Sequence, residues 1–373
     1  MRFTIKRDEL SKALNIASRG VASKTPVPVL SNFKLVLNEE GLSITGSNFD
    51  LTICTQIPYK KGENEIIRNY KEGSVLLNAK ILTEITRKLE TEELTIDIID
   101  STVAIITDKK SEYKLNCVRV EEYPDLDLEA NGTQLTMSTS NFSTLVNQTV
   151  FAASTKEQRP VLTAVNIDAA NGILTATATD SARLARKTMS ITADAGFVAN
   201  VPAKMLIEVS HLASEHSHIE LAISDKKAIF KFGNTLVATR LIAGEYPNTK
   251  NIGPKTSNYV LEVNAQDLIK AIDRANILSL ERENVVDLSM SQENVEITAK
   301  SSQVGSAVET LEIFRYEGEP LKVTFNSEFV VAAVKAVGSQ DVIFSFVGEM
   351  KPFVVKNAAD DSVIQVITPL RPF

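Results

Sequence analysis

At 373 residues, with 43% hydrophobic and 23% charged side chains and no tryptophan, the chain is long for one core and too apolar for disorder, so two or three domains are expected. A formal charge of −7 at pH 7 argues against a uniformly basic nucleic-acid binder and moves the question to where the charge sits. No apolar run approaches the ~20 residues that span a bilayer, and the N-terminus runs into alternating residues with no apolar signal core, so a cytoplasmic location is expected.

In chain order, a short alternating strand leads at once into a helix predicted over 7–19. Its Leu10, Ala13, Leu14 and Ala17 have the i, i+3, i+4, i+7 spacing of a helix buried on one side. A hairpin signal at Asn38-Glu39-Glu40-Gly41 follows. A second helix is predicted over 79–89, with Leu82, Ile85, Thr86 and Leu89 on its stripe, and then an alternating strand over 94–100.

This series returns twice. FTIKRDELSKAL (3–14) matches LTMSTSNFSTLV (135–146) and LEVNAQDLIKAI (261–272). The first stripe reappears as Phe142, Leu145, Val146 and Thr149 in a helix predicted over 140–156, and as Leu268, Ala271, Ile272 and Ala275 over 265–278. The second reappears as Leu206, Val209, Ser210 and Ala213 over 203–214, and as Val330, Ala333, Val334 and Val337 over 327–337. Its approach repeats as VLLNAK, ANVPAK and VTFNSE, placing Asn78, Pro202 and Asn326 at equivalent positions. Further strands are expected over 219–225 and 295–300, with hairpin signals at Asn171-Gly172 and Gly233-Asn234. The first two units close alike, in Glu122-Tyr123-Pro124 and Glu245-Tyr246-Pro247, before linkers near 125–132 and 248–258. Strand, helix, strands, helix, strands, three times over, is an α+β chain of three repeated domains.

The six predicted helices carry 11 basic and 7 acidic side chains, while the rest of the chain carries 29 and 40. Relatively basic helices on an acidic protein suit a surface that attracts phosphates without gripping them, although so small an excess also arises by chance. Walker, GxGxxG, GxSxG and HExxH patterns are absent, which disfavours an enzyme. Cys54 and Cys117 sit singly in strand-like stretches and read as buried free thiols. His211, His216 and His218 could hold a metal only across faces of a helix that point apart, so they read as a solvated helix end. A structural repeat protein such as a surface adhesin is the third class, disfavoured by the lack of a signal peptide.

Inside the threefold repeat, six segments taken in order resemble the bacterial DNA sliding clamp family, the beta subunits of DNA polymerase III, over the whole chain. They are FTIKRDEL, PVPVLSNFKLVLNEEGLSITGSNFDL (26–51), TATDSARLA (177–185), GEYPN (244–248), ANILS (275–279) and ITPLRPF (367–373). The resemblance implies three clamp domains, at 1–128, 129–252 and 253–373. It implies a head-to-tail homodimeric ring with helices lining a central hole and sheets forming the outer rim. It also implies no catalysis and no cofactor. The expected partners are duplex DNA bound without sequence preference, and polymerase and clamp-loader subunits held through short linear peptides.

Three surfaces follow from the resemblance. Facing DNA are Arg7, Lys12, Arg19, Lys24, Lys80, Arg87, Lys88, Lys156, Arg159, Lys204, Lys270, Arg274 and Lys335; the alternative is ordinary solvated helix faces. The peptide pocket comprises Leu162, Thr179, Arg183, Leu184, Pro247, Met350, Pro352, Thr368, Pro369, Leu370 and Arg371, where ordinary domain packing is the alternative. The tail departs from the commoner family pattern, which has Met where Thr368 stands, and runs on to Pro372-Phe373. At the dimer interface, Ile277 and Leu278 are expected opposite Ile85, Leu89, Tyr113 and Leu115, although Ile85 and Leu89 also fit the core stripe.

Overall fold

The computed structural model describes residues 1–22, 25–192, 195–249, 251–254, 256–279 and 284–371. The first repeat runs β1 (Arg2–Lys6), α1 (Arg7–Ser18), β2 (Asn32–Asn38), β3 (Gly41–Ser47), β4 (Leu51–Ile57), the two-residue β5 (Lys60–Lys61) and β6 (Asn64–Glu65), β7 (Ile67–Lys71), β8 (Gly73–Asn78), α2 (Ala79–Lys88), β9 (Glu93–Ile99), β10 (Val103–Thr107) and β11 (Glu112–Asn116). The second runs β12 (Thr133–Ser138), α3 (Thr139–Thr149), β13 (Ala164–Ala170), β14 (Ile173–Thr179), β15 (Arg183–Ser190), β16 (Phe197–Pro202), α4 (Ala203–Ala213), β17 (His218–Ile223), β18 (Lys227–Phe232) and β19 (Thr235–Arg240). The third runs β20 (Tyr259–Asn264), α5 (Ala265–Asn276), β21 (Val285–Met290), β22 (Val295–Ser301), β23 (Gly305–Thr310), β24 (Ile313–Glu317), β25 (Leu321–Asn326), α6 (Ser327–Val337), β26 (Asp341–Phe346), β27 (Phe353–Lys356) and β28 (Val363–Ile367).

The apolar stripes select the buried helix faces. In α1 the buried residues are Leu10, Ala13, Leu14 and Ala17, in α3 Phe142, Leu145, Val146 and Thr149. The flagged approach to the second helix also has a local cause. Asn78 accepts a hydrogen bond from the Ile81 amide (3.0 Å), and Asn326 accepts one from that of Phe329 (3.2 Å); both satisfy amides that a helix start leaves open. Pro202 holds the same place but has no acceptor side chain, and it ends β16 instead. The Asn171-Gly172 turn has φ of 53° and 73°, the double left-handed geometry of a tight hairpin.

One predicted helix overshoots. Residues 140–156 do not form one helix: α3 ends at Thr149, a 3₁₀ turn covers Val150–Ala152, and Ala153 is extended. The Thr149 hydroxyl donates back to the Leu145 carbonyl (2.7 Å), and the β-branched pair Thr149-Val150 is a poor place to continue a helix. Lys156 therefore lies beyond any helix. Cys54 and Cys117 are free but only half-buried, and burial pushes both thiols up, Cys117 to about 11. His218 opens β17 and is not part of a helix end.

Contacts divide the chain into two units. The first comprises Met1–Thr139 with Glu208–Leu241, and the second Ser140–Ile207 with Ile242–Phe373. In the first unit, β11-β10-β9-β1-β7 form one sheet and β12-β17-β18-β19-β4-β3-β2-β8 another. In the second, β16-β13-β14-β15-β28-β27-β26-β20-β24 form one sheet and β23-β22-β21-β25 another. Strands of different repeats thus share sheets. β4 pairs antiparallel with β19 (Thr55 opposite Thr235), and β15 with β28 (Arg183 opposite Ile367). The Thr55 and Thr235 hydroxyls, both buried, lie 2.9 Å apart across the first junction.

Candidate partner cleft, basic helices and free edges

In the second unit, the turn from β14 to β15 is fixed by Asp180, whose carboxylate accepts from the amides of Ala182 and Arg183 (both 2.9 Å). Ser181 takes a left-handed φ of 81° to close it. Thr179 Oγ1 donates to the Arg183 carbonyl (2.6 Å), and the Thr179 amide donates to the Tyr246 hydroxyl (3.0 Å). Burial pushes the Tyr246 phenol up to about 12, so it stays protonated.

The Arg183 side chain does not reach freely into solvent. Its Nε lies 3.0 Å from Asp180 Oδ2, and its guanidinium stands 4.3 Å from the centre of the Phe329 ring and 5.5 Å from that of Phe151. Both partners of the ion pair are largely covered, with side-chain exposures of 17% and 16%.

The tail docks beside this turn. The Thr368 amide donates to the Ala182 carbonyl (2.9 Å) and the Leu370 amide to the Thr324 carbonyl (2.8 Å), with Pro369 buried between them. Thr368 and Arg371 are exposed. Leu370 and Met350 are large apolar side chains left 37% and 44% exposed. Leu184 is buried with Val354 and Val366 under the cleft, and Leu162 is buried in a 3₁₀ turn over Pro160–Thr163. Pro247 and Pro352 are half-buried, next to Tyr246 and at the start of β27. The β15–β28 pairing thus brings Thr179, Arg183, Leu184, Thr368 and Pro369 to one end of the sheet. Sequence reasoning missed Asp180, Tyr246, Phe151 and Phe329. The last carries a readable signal, an aromatic on α6 off that helix's apolar stripe.

The basic residues fall into two groups. Arg19 pairs with Glu208 (2.8 Å), Arg87 and Lys88 with Glu84, and Arg274 with Glu309. Arg7 pairs with Asp8 while its Nη1 donates to the Leu89 carbonyl (2.9 Å), so it closes the end of α2. Lys12, Lys80, Lys156, Lys204, Lys270 and Lys335 are exposed, and no described carboxylate lies within ion-pair distance of any of them. Arg159 is also exposed, 3.5 Å from the Ser181 hydroxyl. Lys24 lies outside the described residues.

Among the proposed interface residues, Ile277 is 66% exposed just past α5 and Leu278 is half-buried. In the first unit Tyr113 is 37% exposed on β11, while Ile85 and Leu115 are half-buried against the core. Leu89 is only 5% exposed and belongs to that core. β11 and β23 each form the edge of their sheet. Val308 on β23 and Phe314 on β24, 59% and 63% exposed, were not anticipated.

Family models described as the N-terminal, central and C-terminal domains of the DNA polymerase III beta subunit match residues 1–127, 136–248 and 250–371. The beta sliding clamps of Bacillus subtilis and Halalkalibacterium halodurans are 34% and 35% identical to the chain, each covering all of both sequences. The crystal structure of the DNA polymerase sliding clamp from Bacillus subtilis superposes over all of both chains with a TM-score of 0.97 at 33% identity. That of the beta subunit from Streptococcus pyogenes gives 0.94 at 29%.

Proposed function

From the premise that the chain belongs to the family of DNA polymerase III beta subunits, and is thus a non-catalytic sliding clamp built of three clamp domains, we propose how it assembles and what it holds. The domains are 1–128, 129–252 and 253–373. Two copies close head to tail into a ring around duplex DNA, and each offers one cleft to a short peptide from a polymerase or clamp-loader subunit. Holding the enzyme at the DNA raises its effective concentration there, which is the physical content of processivity. Replication places the protein in the cytoplasm, and none of its described helices is long and apolar enough to cross a membrane.

One observation carries the assembly. At both junctions inside the chain, the third strand after a repeat's first helix pairs with the last strand of the next repeat: β4 with β19, then β15 with β28. The equivalents left over are β23 of the last repeat and β11 of the first, and each lies at a sheet edge. A second copy supplies the missing pairing, β23 of one chain against β11 of the other. Repeated twice, it closes a ring and consumes edges that would otherwise template aggregation. Ile277, Leu278 and Val308 then meet Tyr113, Leu115 and Ile85.

The DNA-facing reading is supported by the unpaired lysines, which recur by repeat. Lys12 and Lys270 hold equivalent positions on α1 and α5, and Lys80 and Lys204 on α2 and α4. Such contacts are electrostatic and blind to base sequence. Light scattering together with retention on DNA tests the whole: a dimer that stays on closed circles and slides off linear duplex is expected. A monomer, or equal retention on both forms, contradicts the proposal.

A further inference from the structure

We propose that a cavity beside the linker 248–258, in the second unit, binds a small oxyanion: phosphate, or the phosphoryl end of a nucleotide. The cavity measures about 410 Å³ and is lined by Arg186, Lys356, Asp361, Asn251, Thr256 and Ser257 among others. None of the eleven residues assigned to the cleft lines it, although it shares Val354 with the apolar cluster beneath Leu184.

Arg186 carries the argument. Among the described residues only three arginines are not exposed: Arg7, Arg183 and Arg186. Arg7 has Asp8 and Arg183 has Asp180, whereas Arg186 has no carboxylate within ion-pair distance among the described residues. Covering a charge without a counter-charge is costly, and structures usually supply the missing partner. One nitrogen, Nη2, is spent on the Thr249 carbonyl (2.7 Å) and hydroxyl (3.0 Å). That leaves the N–H groups of Nε and Nη1 without an acceptor among the described residues, on different edges of the guanidinium, each able to give a charge-assisted hydrogen bond to an oxyanion. Burial pushes the guanidinium down from its ordinary value, and no acid offsets that.

The surroundings agree in charge and chemistry. Lys356 contributes a second cation, held only loosely by Asp361 at 3.7 Å, whose side chain is 91% exposed. The hydroxyls of Thr256 and Ser257 and the Asn251 amide add neutral donors.

The test is calorimetric titration of the full-length protein with inorganic phosphate and, separately, with adenosine monophosphate. One saturable site per chain is expected. Arg186→Gln should weaken it roughly ten-fold, as loss of a charge-assisted hydrogen bond implies. Because Arg186→Gln also removes the bond to Thr249 and could unfold the linker, the double variant Thr256→Ala/Ser257→Ala keeps that bond and should weaken binding several-fold. Lys226→Gln, an exposed lysine of the first unit, should change nothing. Tighter binding of the nucleotide than of phosphate assigns the site to a phosphoryl end, and the reverse assigns it to the free anion. Non-saturating heats, or equal affinity in wild type and both cavity variants, would mean an adventitious ion only and would overturn the proposal.

Discussion

In the turn from Thr179 to Arg183 the polar groups are already engaged. Asp180 accepts from two amides and the Arg183 guanidinium, Thr179 donates its hydroxyl to the Arg183 carbonyl and its amide to the Tyr246 hydroxyl, and the tail adds a bond to Ala182. Along β11 and β23 the reverse holds: among the described residues each strand has a neighbour on one side only, and Tyr113 and Val308 are exposed. A cleft that receives a peptide works best preorganised, because it need not spend binding energy on ordering itself. An edge that receives another copy must stay open, because its backbone groups are the bonding groups.

The sharpest way to break this contrast is at the open edge. Ile277→Ala with Leu278→Ala removes large apolar side chains from both junctions of a ring, at ~2–5 kcal/mol for each large-to-small change that is fully buried on assembly. Light scattering should then find a monomer at concentrations where the parent is a dimer. Far-ultraviolet circular dichroism should be unchanged, since Ile277 is exposed within the chain. A stable dimer would return the interface to other surfaces.

Next in size is deletion of Thr368–Phe373, which should abolish binding of a polymerase-derived peptide in calorimetry. The tail is more than a strand end, because Thr368 and Leu370 donate to Ala182 and Thr324 and Pro369 is buried. Two lost hydrogen bonds at ~0.5–1.5 kcal/mol each should lower the melting temperature by a few degrees without unfolding the chain. Full peptide affinity after the deletion would move the cleft elsewhere.

Arg183→Ala should have a smaller effect, a loss of roughly three- to ten-fold in peptide affinity, as expected of a contact beside apolar anchors. Arg183→Lys should not restore it. The ammonium cannot lie flat on Phe329 while keeping the Asp180 bond, as the guanidinium does at 4.3 and 3.0 Å. Restoration by lysine would mean that charge alone matters there.

What was legible in the sequence follows the range of the interactions. The stripe Leu10, Ala13, Leu14, Ala17 and its repeats identify the buried helix faces because each helix buries its own periodic residues. The end of α3 was misjudged because Thr149 and Val150 also continue an apolar pattern, while the hydroxyl back-bond that marks the break is visible only in three dimensions. The β4–β19 and β15–β28 junctions join residues about 180 positions apart and leave no local pattern. The sequence places Arg183 in the pocket but not its engagement there, because nothing in TDSAR announces that Ser181 will turn left-handed and bring Asp180 under the guanidinium.

The smallest expected effect separates cations that are free from cations already matched. Lys12 and Arg87 both lie on helices and both count as basic in the sequence. Arg87 has Glu84 at 2.7 Å, whereas Lys12 has no described carboxylate within ion-pair distance. A matched cation brings little net charge to a phosphate, since its carboxylate repels the same group. Each phosphate neutralised adds about 0.9 to the slope of log affinity against log salt on duplex DNA. Lys12→Gln should therefore lower that slope by about 1 for two contacts per dimer made half the time, and Arg87→Gln should leave it nearly unchanged. Both variants should behave alike on every base sequence. Fluorescence anisotropy of the dimer on duplex DNA at several salt concentrations decides it. Equal slope changes in the two variants would show that ion pairing within the chain does not select the cations that meet DNA.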